Sequence, residues 1–265
     1  MKALAADLLA ENDALAALCD GLPAAQWTSP TAFKAWTPWD VVAHLCLLDG
    51  AALAAARGAA AFEPVAVGLR ARRAEGASLC AIACADLGHL QGPALLAHWH
   101  HVYGELAAAL RSLDARDRLP WFGPALSARS FATARLMESW AHGQAVWDLL
   151  RRKRPATARL QHIAHLGVST YGWSFSNRGL SVPQPVPHVA LQAPDGSAWR
   201  WSATSASDCV QGSAEDFCLV VAQCRHVDDT RLVHRGSGTA WLHVAQCFAG
   251  PPVDGPAPGE RLSAA

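Results

Sequence analysis

The sequence predicts an α+β protein, with a helical bundle over residues 1–155 and a small α+β domain over residues 156–265. The first part is rich in Ala and Leu and poor in β-branched residues, a composition that favours helices. After about residue 155, valines and tryptophans alternate with prolines and turn residues, which is typical of short strands. The Pro-, Gly- and Ala-rich tail after about residue 251 is expected to be irregular.

Composition excludes several classes of protein. Of the 265 residues, 51% are apolar and 17% charged, so the chain has enough apolar surface for a folded core. Lys and Arg (22) balance Asp and Glu (22), which argues against a nucleic-acid partner. We expect no membrane segment and no exported leader, because the apolar runs are short and acidic residues interrupt the N-terminus. Eight cysteines without a Cys-x-x-Cys pair indicate reduced thiols and a cytoplasmic location.

Two helices are predicted before residue 60. The first covers about residues 2–21, where leucines recur along one face. The second begins sharply at Thr37, which is a suitable N-cap residue. Pro38 then fits the first helical position, and Asp40 completes a variant of the capping box. This helix is expected to end near residue 58.

Two further helices complete a bundle of four. One is predicted over about 92–113 and the other over about 127–150. The basic run 151–154 suits a helix C-terminus, and Pro155 ends the helix. Residues 59–90 are compatible with either a short helix or a long loop.

The second half predicts a hairpin and two helices. Residues 189–202 alternate around Asp195-Gly196, which is a strong signal for a tight turn. A helix is predicted over 213–226 and a short one over 239–248.

Two histidines and one carboxylate are candidates for a metal site. His44 lies on the inward face of the second helix, whereas Glu138 and His142 lie four residues apart on the fourth. Two imidazoles with one carboxylate bind catalytic zinc, and also non-haem iron. The alternative is a solvated Glu–His pair on the surface of the fourth helix.

Two sequence stretches resemble a known family. Residues 36–45 (WTPWDVVAHL) resemble the first metal motif of the mycothiol-dependent maleylpyruvate isomerase N-terminal domain, and residues 138–144 (ESWAHGQ) resemble its second. This domain belongs to the DinB-like superfamily of four-helix bundles. Residues 129–138, 190–196 and 216–221 resemble an uncharacterised metal-binding subgroup, in which a wyosine-base-formation-type domain follows the bundle.

The resemblance implies a DinB-like four-helix bundle and a function. His44, Glu138 and His142 match the family's ligands for a divalent metal ion, which is expected to be zinc, with iron or nickel as alternatives. Isomerase or thiol-transfer chemistry on a small-molecule substrate follows, with a low-molecular-weight thiol as cofactor. The family usually has Asp where this chain has Ala145, so a supporting contact to the metal site is expected to be lost.

Three alternatives stay open at this point. The altered residue at Ala145 allows a non-catalytic metal- or small-molecule-binding protein, and the ligand set allows a non-haem iron oxygen enzyme. His98, His100 and His101 form a second histidine cluster, either lining a pocket or facing solvent; His98 and His101 with Glu105 would suit a second metal site. The sequence names neither substrate nor thiol, and leaves the oligomeric state open.

Overall fold

The computed structural model describes residues 1–261. Its contacts divide the chain into two compact units, Met1–Leu149 and a second that begins at Leu150. Each unit is described by itself below.

The first unit is a four-helix bundle with additions, as the sequence predicted. The long helices α1, α3, α6 and α7 form a ring in which each packs against two others. Shorter helices flank this ring, and two short strands pair antiparallel between α6 and α7. The elements are α1 (Lys2–Cys19), α2 (Ala24–Trp27), α3 (Pro38–Ala56), α4 (Ala59–Ala74), α5 (Leu79–Leu87), α6 (Gly92–Arg111), β1 (Arg118–Leu119), β2 (Leu126–Ser127) and α7 (Ala128–Leu149).

Helix α3 is the central helix of this unit and begins where the sequence predicted. The Thr37 side chain accepts a hydrogen bond from the Asp40 backbone N–H, and the Asp40 carboxylate accepts one from the Thr37 backbone N–H. With Pro38 at the first position, this capping box fixes the helix start. By length and composition α3 is apolar enough to span a bilayer, but 67% of its apolar window is buried within the protein. Such burial is typical of a core helix.

Residues 59–90 form two helices, α4 and α5, rather than one short helix or a long loop. Helix α4 buries Phe62, Ala66 and Leu69, which recur at helical spacing on one face. The Ser78 hydroxyl caps α5 by accepting a hydrogen bond from the Ala81 backbone N–H.

The second unit is built on a mixed four-stranded sheet. Strands lie in the order β4-β3-β5-β6, where β3 and β5 are parallel and the other pairs antiparallel. The predicted hairpin is β3–β4, turning at Gly196 with φ +83°. The elements are α8 (Leu160–Ser169), α9 (Tyr171–Ser176), β3 (His188–Gln192), β4 (Ala198–Trp201), β5 (Cys209–Ser213), α10 (Ala214–Val221), β6 (Val233–Arg235) and α11 (Ser237–Leu242).

Both predicted helices of this unit are shorter in the structure. Helix α10 ends at Val221 instead of near residue 226, because the chain reverses at Gln223, whose φ is +56°. The backbone N–H groups of Cys224 and Arg225 then both donate to the Leu219 carbonyl, which closes the helix end. Helix α11 covers Ser237–Leu242 rather than 239–248.

Residues 251–261 contain neither helix nor strand, but hydrogen bonds hold them to the second unit. The Val253 backbone N–H donates to Gln246 Oε1 at 3.1 Å, and Gln223 Nε2 donates to the Val253 carbonyl at 2.8 Å. The Gly259 backbone N–H donates to the Asp229 carboxylate. This segment, called the C-terminal strap below, is therefore bound along its length.

Candidate metal centre

His44, Glu138 and His142 converge between α3 and α7. One ligand atom from each lies within 4.8 Å of the others, and no other such group of three was found among residues 1–261. The His142 Nε2 and Glu138 Oε2 atoms are 3.2 Å apart, and the two imidazole ring centroids are 4.6 Å apart. The fold therefore brings together the three residues that the sequence singled out.

The three side chains differ in burial. His44 is 6% exposed, whereas the side chains of His142 and Glu138 are 15% and 27% exposed. The set is thus closed at the α3 side and accessible beside Glu138. A small molecule approaching the set would reach it from the Glu138 side.

A tight turn before α3 places two aromatic rings against the imidazoles. Residues 33–36, called the aromatic turn below, are closed by a 2.9 Å hydrogen bond from the Trp36 N–H to the Phe33 carbonyl. The Trp36 ring stacks on His142 at 5.4 Å with an interplanar angle of 13°, and lies 5.0 Å from the ring of His44. The Phe33 ring meets His142 edge-on at 5.3 Å. These rings exclude water from one side of both imidazoles.

His44 is held as a neutral imidazole. Burial, and next the charge of a protonated His142, lower the pKa of His44 well below its usual 6.5. Its Nδ1 atom is buried and has no hydrogen-bond partner. No protein group therefore fixes its tautomer, and the ring can offer a lone pair to an ion.

Glu138 is held as a carboxylate. Burial by itself raises the pKa of Glu138, but the hydrogen bond from His142 and the positive charges of His142 and Arg135 outweigh it and lower the pKa to about 2. A neutral imidazole beside an ionised carboxylate is the protonation state that metal binding requires.

A buried ion pair lies next to this set. The Arg135 Nε and Nη2 atoms both donate to Asp49 Oδ1, at 3.0 and 2.8 Å, and Trp99 Nε1 donates to Asp49 Oδ2 at 2.8 Å. Sequence analysis missed these residues. The available signal was that Asp49 is the single acidic or basic residue (Lys, Arg, Asp or Glu) between Val41 and Ala56.

The second histidine cluster does not form a metal site in the described part of the chain. His98, His100 and His101 are all exposed on α6. The His101 Nε2 atom lies 3.5 Å from Glu105 Oε1, and both side chains face solvent. The histidines of α6 are therefore surface groups.

Asp148 follows Ala145 by three residues on α7, and Ala145 occupies the position at which the family usually has an aspartate. The Asp148 Oδ1 atom accepts a 2.9 Å hydrogen bond from Gln144 Nε2 one turn earlier. This hydrogen bond joins Asp148 to the residue that precedes Ala145 on α7.

The fold and site define a helical-bundle protein with two histidines and one glutamate grouped between two helices. Residues 8–147 match the family model described as the mycothiol maleylpyruvate isomerase N-terminal domain, and the chain belongs to this family. The match ends before the second unit, so the resemblance of that unit to a wyosine-base-formation-type domain stays a prediction.

The chain is also similar to a mycobacterial protein and to two solved structures. An uncharacterized protein of Mycobacterium tuberculosis, found in two strains, is 41% identical over 251 residues, covering 94% of this chain and 96% of the relative. The crystal structure of the mycothiol-dependent maleylpyruvate isomerase matches with a TM-score of 0.51 at 15% identity, covering 83% of this chain and 88% of the enzyme. A histidine-to-alanine mutant of that enzyme matches with a TM-score of 0.50, also at 15% identity and with the same coverage. At this identity the structural matches show a shared fold.

Proposed function

We propose that this chain is a divalent-metal-dependent enzyme of the maleylpyruvate isomerase type. It carries out isomerase or thiol-transfer chemistry on a small molecule, with a low-molecular-weight thiol as cofactor. The observation that carries the proposal is the convergence of His44, Glu138 and His142, in which the pKa shifts keep His44 neutral and Glu138 ionised, as a metal ion requires of these two ligands. Family membership supports the thiol and the type of reaction.

The donor set fits the proposed ion. Two imidazole nitrogens and one carboxylate oxygen are ligands that zinc accepts, and iron and nickel accept them as well. The buried Nδ1 of His44 has no hydrogen-bond partner in the protein, and coordination of a metal ion would give this imidazole a polar partner. Held by His44, Glu138 and His142, a divalent ion would supply Lewis-acid chemistry, which lowers the pKa of a thiol or polarises a substrate carbonyl.

The protein's own residues shape access to that position. The Phe33 and Trp36 rings cover the imidazoles, so the carboxylate of Glu138 marks the open side. The aromatic rings offer an apolar surface to the part of a substrate that lies next to the reacting group. All eight cysteines are free thiols, which supports our proposal of a cytoplasmic location, where a thiol cofactor stays reduced.

Metal content tests the site directly. We expect about one zinc equivalent per chain in protein purified without chelators or a histidine tag, as measured by elemental analysis. His44→Ala, Glu138→Gln and His142→Ala should each lose most of the metal. The matched control is His100→Ala, an exposed histidine on α6, which should keep it. Full occupancy in all three ligand variants would refute the site.

Thiol binding tests the reaction class. In the cobalt-substituted protein, sulfur-to-metal charge-transfer absorption is expected to grow and saturate with one natural thiol among mycothiol, bacillithiol and glutathione. A non-thiol analogue, and any thiol added to His142→Ala, should give no such band. If the loaded wild type shows no spectral change with any thiol, thiol chemistry is excluded while the metal site stands.

A second candidate function is a non-catalytic metal- or small-molecule-binding protein. It is favoured by Ala145, which stands where the family usually has an aspartate. Metal and thiol binding without any turnover of thiol-dependent substrates would select this candidate over the enzyme.

A further inference from the structure

The Asp49–Arg135 ion pair joins the two helices that carry the proposed metal ligands. Asp49 follows His44 on α3 by five residues, and Arg135 precedes Glu138 on α7 by three. Arg135 is 4% exposed at its side chain and Asp49 is fully buried. The pair therefore bridges α3 to α7 within about one helical turn of the ligand set.

The hydrogen-bond geometry restricts movement of the two helices. Two Arg135 nitrogens donate to one oxygen of Asp49, and Trp99 of α6 donates to the other oxygen. The carboxylate is thus held from two sides by planar, rigid groups. Sliding α3 along α7 would break at least one of these hydrogen bonds.

Stability alone gives a weak reason for this arrangement. A buried ion pair often contributes no more to stability than well-packed apolar residues of similar volume. Helix α3 contacts α6 far more extensively than it contacts α7. The interface that sets the distance between His44 and the Glu138–His142 pair is therefore the sparser one, where a specific polar link has the most effect.

We propose that Asp49 and Arg135 are positioning residues that hold His44 at a fixed distance from Glu138 and His142, so that the ligand set is assembled before the ion arrives. This inference rests on the proposed metal function. Positioning and charge predict different outcomes when the pair is removed. Removing the Asp49 anion and the Arg135 cation together leaves the net charge unchanged, so charge alone predicts no loss of metal affinity, whereas loss of positioning weakens binding.

The test measures zinc affinity by competition with a chromophoric chelator, and site geometry by the cobalt absorption spectrum. The principal variant is the double substitution Asp49→Asn with Arg135→Gln, which leaves no uncompensated buried charge. We expect its zinc affinity to fall about tenfold or more, with an altered cobalt spectrum. Trp99→Phe, which removes one hydrogen bond and replaces the indole with a smaller aromatic ring, should give a smaller change in the same direction and covers the case in which the double variant fails to fold.

The control for general destabilisation is Leu106→Ala, a fully buried leucine on α6, a helix that carries no ligand. It should lower the melting temperature while leaving zinc affinity and the cobalt spectrum of the folded protein unchanged. Unchanged or increased affinity in the double variant, or in Trp99→Phe should the double variant not fold, would overturn the inference. A wild type that binds no zinc would instead refute the proposed function, so the two failures are distinguishable.

Discussion

At the scale of single side chains, burial decides the chemistry of His44. Its imidazole lies behind the Trp36 ring, has an unpaired Nδ1 atom and is almost inaccessible to solvent. Burial away from water and the lack of a hydrogen-bond acceptor at Nδ1 disfavour the protonated form. The His44 side chain is therefore suited to bind a metal ion as a neutral ligand and is not readily protonated.

This burial predicts a pH dependence of stability in the metal-free protein. The folded pKa of His44 lies below the unfolded value of 6.5, so its contribution is present above pH 6.5 and is lost as pH falls toward the folded pKa. Between pH 7.5 and 5.5 we expect this residue to lower the free energy of unfolding by on the order of 1 kcal/mol. Urea unfolding of the wild type and of His44→Leu at both pH values gives the loss in free energy of unfolding for each protein. The contribution of His44 is the difference between these two losses. Equal losses in the two proteins would contradict the prediction.

Glu138 also makes the metal-free protein less stable as the pH falls, but over a lower pH range than His44. Its folded pKa of about 2 lies below the ordinary 4.5, so its contribution to stability is present above pH 4.5 and is lost as pH falls toward 2. The metal-free site is therefore expected to be weakened by acid in two successive ranges, first through His44 and then through Glu138.

At the scale of elements, the aromatic turn stores backbone strain beside the site. Its central residues Lys34 and Ala35 both have positive φ, at 52° and 56°, although neither is glycine. This is the pattern of a type I′ turn, which costs a residue with a Cβ about 1 kcal/mol or more. The strain is the cost of placing Phe33 and Trp36 against His142.

Relief of this strain is measurable. Ala35→Gly should stabilise the protein by about 0.5 kcal/mol, since glycine adopts positive φ freely but loses more entropy on folding. The control is Ala32→Gly in the same loop, where φ is not positive, and it should destabilise. The free energies of unfolding of both variants are measured by urea denaturation. Destabilisation by Ala35→Gly would show that the turn is not strained.

Several elements were predictable because their signals are local. The start of α3 follows from Thr37, Pro38 and Asp40, and the β3–β4 hairpin follows from Asp195-Gly196. Strands β5 and β6 were missed because they are short and pair with chain segments distant in sequence. Pairing of that kind depends on tertiary contacts, which leave no periodic pattern in so few residues.

At the scale of the whole molecule, the candidate site also contains residues that were predictable from the sequence and residues that were not. The family motifs named His44, Glu138 and His142, and the fold brings them together. Asp49 and Arg135 were not predicted, because their significance depends on contact across 86 positions of sequence. Spacing along one helix cannot reveal a pair that only helix packing creates.

We propose residues 1–155 and 156–265 as separate domains, which predicts that a chain ending at residue 155 folds. It should keep strong helical circular dichroism, because the ring of α1, α3, α6 and α7 lies within it. Cobalt binding by this fragment should match that of the full chain, since all three candidate ligands are included. A β-rich or unfolded spectrum would contradict the domain boundary.

The C-terminal strap has a practical consequence for anyone who shortens this chain. Its composition resembles a dispensable linker, yet Gln223 and Gln246 each bond to Val253 within it. Trimming at residue 250 would remove one of the two acceptors of the Gln223 amide nitrogen, which also donates to the Ala245 carbonyl, and would leave Gln246 Oε1 without its donor in the interior of the second unit. Loss of yield or cooperativity after such trimming would therefore come from two buried glutamines that each lose a hydrogen bond, and restoring residues 251–261 would be the remedy.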